Sequence, residues 1–398
     1  MLVDKAKDNL VNGVLPFWMN LMDKEYGGFY GAVDYDLKVD KKGEKGTILV
    51  SRIMWLFSRA HIQLGDIQYL ETARHAYEYF HRNCYDKEYG GLYWSTNYDG
   101  TPCDVVKHTY TMSYGIYGLV AYYEASGNHD ILDEAYELYH FIEERCTDSD
   151  GYLEEFDRFF NVKDNEKVSD ALAPRGFYAD RTMNTLLHLL EAYTELFRVD
   201  NDPAVKNSVI KLLDIFVNKV YCPDKRRLEV FFDKEYNSLV DTQSYGHDIE
   251  SAWLIDYAVA VLKSKGADGD KYVSELFEQI GHMNDDLRDS VYNRALKDNR
   301  MTQDIVEGVD NNTRVWWVHA EAVNGFSKGF TEQPDHPEYM DAAMGILDYI
   351  EKHFIDSRSG EWYNELDGKS DLPKHKELAG PWKCPYHNGR MWLELMNL

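Results

Sequence analysis

The chain has 398 residues, 44% of them hydrophobic and 14% aromatic, with 69 acidic against 43 basic side chains and a formal charge of −26. That much negative charge argues against nucleic acid and anionic membrane as partners, because both would repel it. The length allows two ordinary domains or one large one, with apolar material enough for a sizeable core. The cysteines (Cys84, Cys103, Cys146, Cys222, Cys384) are scattered, odd in number and form no Cys-x-x-Cys, which predicts a reduced, cytoplasmic chain without a structural zinc site. Asp4, Lys5, Lys7 and Asp8 leave no secretory apolar segment near the first residue. No run reaches the roughly 18 apolar residues of a membrane-spanning helix.

Taken in order, apolar residues recur with helical spacing over 3–22, 51–65, 69–86, 108–127, 129–146, 179–199, 202–221, 244–266, 269–290, 314–333, 337–356 and 387–398. Gly65, Gly127 and Gly266 stand where helices should stop, and Pro203 and Pro337 where helices should start. Between the helical stretches a motif repeats. Asp23-Lys-Glu-Tyr-Gly-Gly-Phe-Tyr30 returns as Asp86-Lys-Glu-Tyr-Gly-Gly-Leu-Tyr93, with looser echoes at Asp148–Tyr152, Asp224–Leu228 and Asp356–Trp362. Each echo is a polar turn followed by aromatic alternation, which predicts a short hairpin. No long linker or low-complexity tract divides the chain. About twelve helices in antiparallel pairs predict an all-α fold, an (α/α)6 barrel over 1–398 as a single domain, with short β-hairpins in the long loops at one end.

In each pair one helix follows a long loop, and these helices carry polar groups near their starts: Arg52; Tyr110; Asn184 and His188; His247 and Glu250; Trp317 and Glu321; His387 and Arg390. Spacings of three or four put the members of a pair on one helical face. The partner helices have an ordinary amphipathic pattern. If the first set lines the inside of the ring, six helix starts aim polar groups at one cavity. The densest stretch is Ser244-Tyr-Gly-His-Asp-Ile-Glu-Ser-Ala-Trp253, where His247 and Glu250 join a proton-transfer residue to a carboxylate. Taken singly each feature has a plainer reading. Arg52 suits a buried structural ion pair as well as a donor to substrate oxygens, and His108 and His319 suit either packing or a site. Trp382, in the Pro-flanked loop Gly380–Tyr386, suits a stacking platform for a sugar face. No zincin spacing, Walker loop, Gly-x-Gly-x-x-Gly or Gly-x-Ser-x-Gly is present, so no metal, nucleotide or redox cofactor is expected.

Five segments together resemble the N-acylglucosamine 2-epimerase superfamily, in particular its cellobiose 2-epimerase branch. They are Gly46–Trp55, Asp180–His188, Ser244–Trp253, Thr313–Glu321 and Gly380-Pro-Trp-Lys-Cys-Pro-Tyr-His-Asn-Gly-Arg390. The resemblance implies an (α/α)6 barrel and epimerisation at C2 of the reducing-end glucose of a β-1,4-linked disaccharide. It implies His247 and His387 as the acid/base pair, with Arg52 and Glu250 completing the catalytic set. Asn184, His188, Trp317, Glu321, Trp382, Tyr110 and Trp253 make up the expected substrate-binding set. The expected partner is a small sugar and the expected state a monomer. N-acylglucosamine 2-epimerases and mannose-type aldose–ketose isomerases share the pattern and remain alternatives. Two further rivals are an α/α-barrel glycoside hydrolase using Glu250 and Glu321, and a sugar-binding protein using only the tryptophans.

Overall fold

The helical periodicity of the sequence becomes helices whose boundaries follow from local chemistry. A computed structural model describes residues 2–162 and 179–398. One unit comprises Met1–Asp180, Asp356–Glu361 and His375–Leu398, and the other Arg181–Ile355 and Trp362–Lys374. The first holds α1 (Leu2–Asn9) and α2 (Leu15–Met19), joined through a π-helical turn at Leu10–Val14, then α3 (Thr47–Leu64), α4 (Ile67–Tyr79), α5 (Thr109–Ser126) and α6 (His129–Arg145). The second holds α7 (Met183–Asp200), α8 (Pro203–Ile215), α9 (Tyr245–Ser264), α10 (Lys271–Arg294), α11 (Trp316–Glu332) and α12 (Pro337–His353). The last helix, α13 (Tyr386–Leu395), belongs to the first unit. Among the described residues no helix is long and apolar enough to cross a membrane. All five cysteines are unpaired.

Three of the helix pairs are joined by one device. Helix α3 stops at Gly65 in the left-handed conformation (φ 75°), and the next residue, Asp66, caps α4 by accepting from the Gln68 N–H. Gly127 (φ 70°) and Asn128 do the same between α5 and α6. Asn201 (φ 60°) and Asp202 do it between α7 and α8. That last stop uses asparagine, the other residue for which the left-handed region costs little, so a search for glycine passes over it.

Within a pair the two helices bury differently. Along α5 every residue from Thr109 to Tyr122 is buried, whereas its partner α6 buries Ile131, Leu132, Ala135, Leu138, Tyr139 and Ile142 and exposes Asp133, Glu137 and His140. The expected division into enclosed and amphipathic helices is therefore present. The long-loop helices also begin in a common way. Lys45–Gly46 pairs with Ser95–Thr96 ahead of α3, and Lys107–His108 with Glu155–Phe156 ahead of α5. Arg181–Thr182 pairs with Phe231–Phe232 ahead of α7, Thr242–Ser244 with Asp304–Val306 ahead of α9, and Arg314–Val315 with Glu365–Leu366 ahead of α11. These ladders explain why α7 starts later than its apolar pattern suggests: the backbone of Arg181 and Thr182 is committed to a strand.

The repeated motif folds as expected. Bridges Met22–Phe29, Tyr85–Leu92, Thr147–Tyr152 and Ile355–Trp362 close short hairpins, and Tyr221–Cys222 pairs with Arg227–Leu228. In the two full copies the aspartate organises the turn. Asp23 accepts from the Glu25 and Tyr26 N–H groups through one oxygen and from Lys45 Nζ through the other, at 2.6 Å. Asp86 accepts from Glu88 and Tyr89 and from Lys107 Nζ, at 3.0 Å. Each lysine precedes a buried helix by two residues, so the ion pair ties the hairpin to the helix start that follows it. Arg158 adds a second cation to Asp86; among the described residues Asp23 has no such addition. Replacing one partner of a buried pair leaves the other charge uncompensated, at a cost of about 3–5 kcal/mol. Lys45→Met should therefore lower unfolding free energy by about that much, and Lys107→Met by clearly less, since Arg158 still serves Asp86. Denaturant unfolding of the two variants checks this; equal losses would contradict it.

Candidate active site

In the first unit helix α3, buried at every residue from Thr47 to Ser58, carries Arg52 only 2% exposed. Its Nη2 donates to the Tyr110 and Tyr114 hydroxyls at 2.9 and 2.7 Å, and its Nη1 to the Cys384 sulfur at 3.2 Å. The guanidinium also lies over the rings of Tyr114 and Tyr386, at 4.2 and 4.8 Å. Among the described residues no carboxylate pairs with it, and its Nε has no hydrogen-bond partner. The structural ion pair allowed by the sequence is absent. What remains is a permanently charged group held by neutral neighbours.

Tyr110, at the start of α5, is thus brought to Arg52. It also reaches Trp382, whose ring centroid is 6.0 Å away and which is 43% exposed. Trp382 meets Trp94 at 5.6 Å, and Trp94 packs on His108 at 4.5 Å. Trp94 was not singled out from the sequence, although it ends the aromatic alternation of the second hairpin motif. His387 is buried in the first turn of α13, against the Tyr386 ring. The helix start beneath it is fixed by Glu361, which accepts from Asn388 Nδ2 (2.6 Å), Lys383 Nζ (2.9 Å) and the Trp18 indole N–H (2.6 Å).

In the second unit His247 sits in the first turn of α9. Its Nδ1 is 2.7 Å from Ser244 Oγ, and its ring lies 4.7 Å from that of Trp317. Gly246 makes the latter contact possible, since a Cβ there would come within 2.6 Å of the Trp317 ring. Burial pushes the His247 pKa down to about 3, a charge on His188 adds to that, and Glu321 opposes it. One edge of the side chain is nevertheless accessible. Water at that edge tempers the depression, and its direction keeps the ring neutral at physiological pH. His188 is buried in α7 with its Nδ1 2.9 Å from Glu191 Oε2. Asn184, one turn earlier, has a buried Oδ1 that no described residue meets. Glu250 and Glu321 are fully buried, with a carboxylate oxygen of one within 4.8 Å of an oxygen of the other. Trp253 is 6% exposed and donates its indole N–H to Glu321 at 3.1 Å, so it orients that carboxylate.

His319, ambiguous from the sequence, is structural. Its Nδ1 faces the Val315 carbonyl at 2.8 Å, and its Nε2 accepts from the Met301 N–H at 3.2 Å, so neither nitrogen is open. Sequence reasoning also passed over Asp248. It points away from His247, accepts from the Leu228 N–H and from Gln243 Nε2, and thereby clamps the first turn of α9.

The family model for N-acylglucosamine 2-epimerase (GlcNAc 2-epimerase) matches residues 27–389. A cellobiose 2-epimerase of Ruminococcus albus is 42% identical over 397 residues, spanning 100% of this chain and 98% of that protein. One from Eubacterium cellulosolvens is 41% identical over 403 residues, 97% and 96% of the two chains. The solved structure of cellobiose 2-epimerase from Bacillus thermoamylovorans B4167 matches with a TM-score of 0.92 at 39% identity, covering 99% of this chain and 98% of that one. With the helix inventory, this bears out the all-α barrel class expected from the sequence.

Asp248 generates a prediction about stability. Burial pushes its carboxyl up from 3.8 to about 7, against the opposing hydrogen bonds from Gln243 and Leu228. Between those values the folded chain holds a proton that the unfolded chain has lost, so stability falls as pH rises toward 7. Asp248→Asn lacks this penalty. Relative to wild type it should gain on the order of 2–3 kcal/mol between pH 5 and pH 8. Thermal or denaturant unfolding at the two pH values checks this, and a pH-independent difference would contradict it.

Proposed function

The chain belongs to the N-acylglucosamine 2-epimerase family, and from that premise we propose that it inverts C2 of the reducing-end glucose of β-1,4-linked disaccharides, turning cellobiose into glucosyl-mannose and lactose into epilactose. The observation that carries the reading is Arg52, a buried cation whose hydrogen-bond partners among the described residues are two phenols and a thiol. Leaving a guanidinium in that state is costly unless an anion is to arrive. Deprotonation beside an aldehyde creates one, an enediolate, and a fixed donor aimed at developing charge is the most effective way to lower that barrier. Glycoside hydrolysis develops positive charge instead, which a neighbouring unpaired cation opposes.

In the proposed reaction the pyranose opens so that C1 becomes an aldehyde and the C2 proton becomes removable. One histidine takes that proton, the electron pair of the C–H bond enters the enediolate, and Arg52 holds its charge. The other histidine returns a proton to the opposite face of C2. His247 and His387 are the assigned pair, and imidazole suits both halves of the exchange near neutral pH. Glu250 completes the catalytic set. Asn184, His188 and Glu321 bind sugar hydroxyls, with Trp253 behind Glu321, and Trp317, Trp382 and Tyr110 bear on the apolar faces of the sugar rings. That residues 1–398 work as one catalytic domain, as a monomer in the cytoplasm, is part of the same proposal; the unpaired cysteines support the compartment.

Incubation with cellobiose, lactose, N-acetylglucosamine and mannose, followed by ion-exchange chromatography, tests the reading. The expected products are glucosyl-mannose and epilactose. Turnover of N-acetylglucosamine or mannose with cellobiose untouched would move the substrate to another branch of the family, and release of glucose would make the protein a hydrolase. His247→Asn and His387→Asn should each lose about 10²–10⁴-fold in kcat while remaining folded.

A further inference from the structure

Ser244 is the N-cap residue of α9, the position at which a serine oxygen ordinarily accepts a backbone N–H from the first turn. Here it makes no such capping bond. Its Oγ instead lies 2.7 Å from Nδ1 of His247, the residue whose backbone N–H it would otherwise cap. We propose that Ser244 is a positioning residue for the reaction: its oxygen, diverted from helix capping, accepts the Nδ1–H of His247 and so keeps Nε2 bare to receive the C2 proton.

The geometry of the buried histidines carries this. Nδ1 of His188 faces a carboxylate oxygen and Nδ1 of His319 a backbone carbonyl. Those partners only accept, so the ring proton of each is fixed on Nδ1. His247 alone of the three faces a hydroxyl, which can donate as well as accept. Ser244 is half-exposed, so its own O–H can turn to water while its lone pair faces the ring. Trp317 meets the ring face and Ser244 occupies Nδ1, while among the described residues nothing hydrogen-bonds Nε2. The proton arithmetic is consistent. A neutral ring with Nδ1–H accepts the C2 proton at Nε2 as the C–H electrons enter the enediolate. The resulting imidazolium still donates Nδ1–H to Ser244, and loss of the Nε2 proton restores the starting form. A serine holds the ring through both states without adding a negative charge that would make the imidazolium reluctant to give its proton back.

The inference rests on His247 acting at C2, as proposed above, and the experiment separates the two. Wild type, Ser244→Ala and Ser244→Thr are labelled with ¹⁵N-histidine, the ring nitrogens are read by NMR, and kcat and KM are measured on cellobiose. The expected wild-type spectrum has His247 protonated at Nδ1 and bare at Nε2. Ser244→Ala, lacking the acceptor, should move that proton to Nε2 and lower kcat roughly 10- to 100-fold, the scale on which groups orienting a reactive imidazole act, with KM changed little. Ser244→Thr, which keeps the hydroxyl, should restore both the spectrum and most of kcat. A purely structural serine would alter stability and leave the tautomer alone. Wild-type His247 protonated at Nε2, or Ser244→Ala within twofold of wild-type kcat, would overturn the proposal. Failure of the wild type to epimerise any of the sugars would overturn the functional reading instead, and the NMR result would still decide the tautomer.

Discussion

The structure depends on holding polar and charged side chains in the first turns of helices that are otherwise enclosed. Arg52 has the most demanding position. Taking a guanidinium out of water costs several kcal/mol even after relaxation, and the usual remedy, a carboxylate partner, would cancel the charge on which its proposed role rests. Phenols are the compromise. The Tyr110 and Tyr114 hydroxyls accept from Nη2, and the Tyr114 and Tyr386 rings offer their faces to the cation. Hydrogen bonds and ring faces thus replace part of the lost hydration without neutralising the group.

The short strands and hairpins serve the same constraint. A helix start has free N–H groups and few intrahelical restraints, so a side chain placed there inherits whatever looseness the chain ahead of it has. Pairing Lys45–Gly46, Lys107–His108, Arg181–Thr182, Thr242–Ser244 and Arg314–Val315 into ladders fixes the entry into α3, α5, α7, α9 and α11. Helix α13 has no such strand. Its entry is held by the buried Glu361, which gathers Trp18, Lys383 and Asn388. The repeated hairpins are therefore part of what holds the helix starts, and the Asp23–Lys45 and Asp86–Lys107 pairs weld hairpin to helix start.

Much of this was legible in the sequence because it is local. Helical periodicity, the glycine stops at Gly65 and Gly127, the Asp-Lys-Glu-Tyr-Gly-Gly copies and the polar residues at i,i+3 and i,i+4 are all properties of short windows. What was not legible depends on which distant side chains meet. Nothing near Glu361 announces that Trp18 will donate to it, and nothing near Arg52 says that its neighbours will be Tyr114 and Cys384 rather than an acid. His319 suited either packing or a site; two backbone contacts, visible only in three dimensions, make it a strut. Asp248, next to His247 in sequence, lies on another face of the helix and braces the turn. Ser244 opens the densest polar stretch of the sequence, and only the geometry brings its hydroxyl to the His247 ring instead of to the backbone of the first turn.

The central claim is that a carbon-bound proton leaves C2 to a histidine and a proton returns from one. Cellobiose turned over in D₂O, with hydroxyl deuterons then washed back to protons, tests it most directly. The account predicts product carrying deuterium at C2 of the reducing-end sugar, one mass unit heavier and lacking the C2 proton signal in NMR, with only partial labelling if a shielded base returns some of its own proton. Product that keeps its original C2 hydrogen through many turnovers would point to hydride transfer and contradict it.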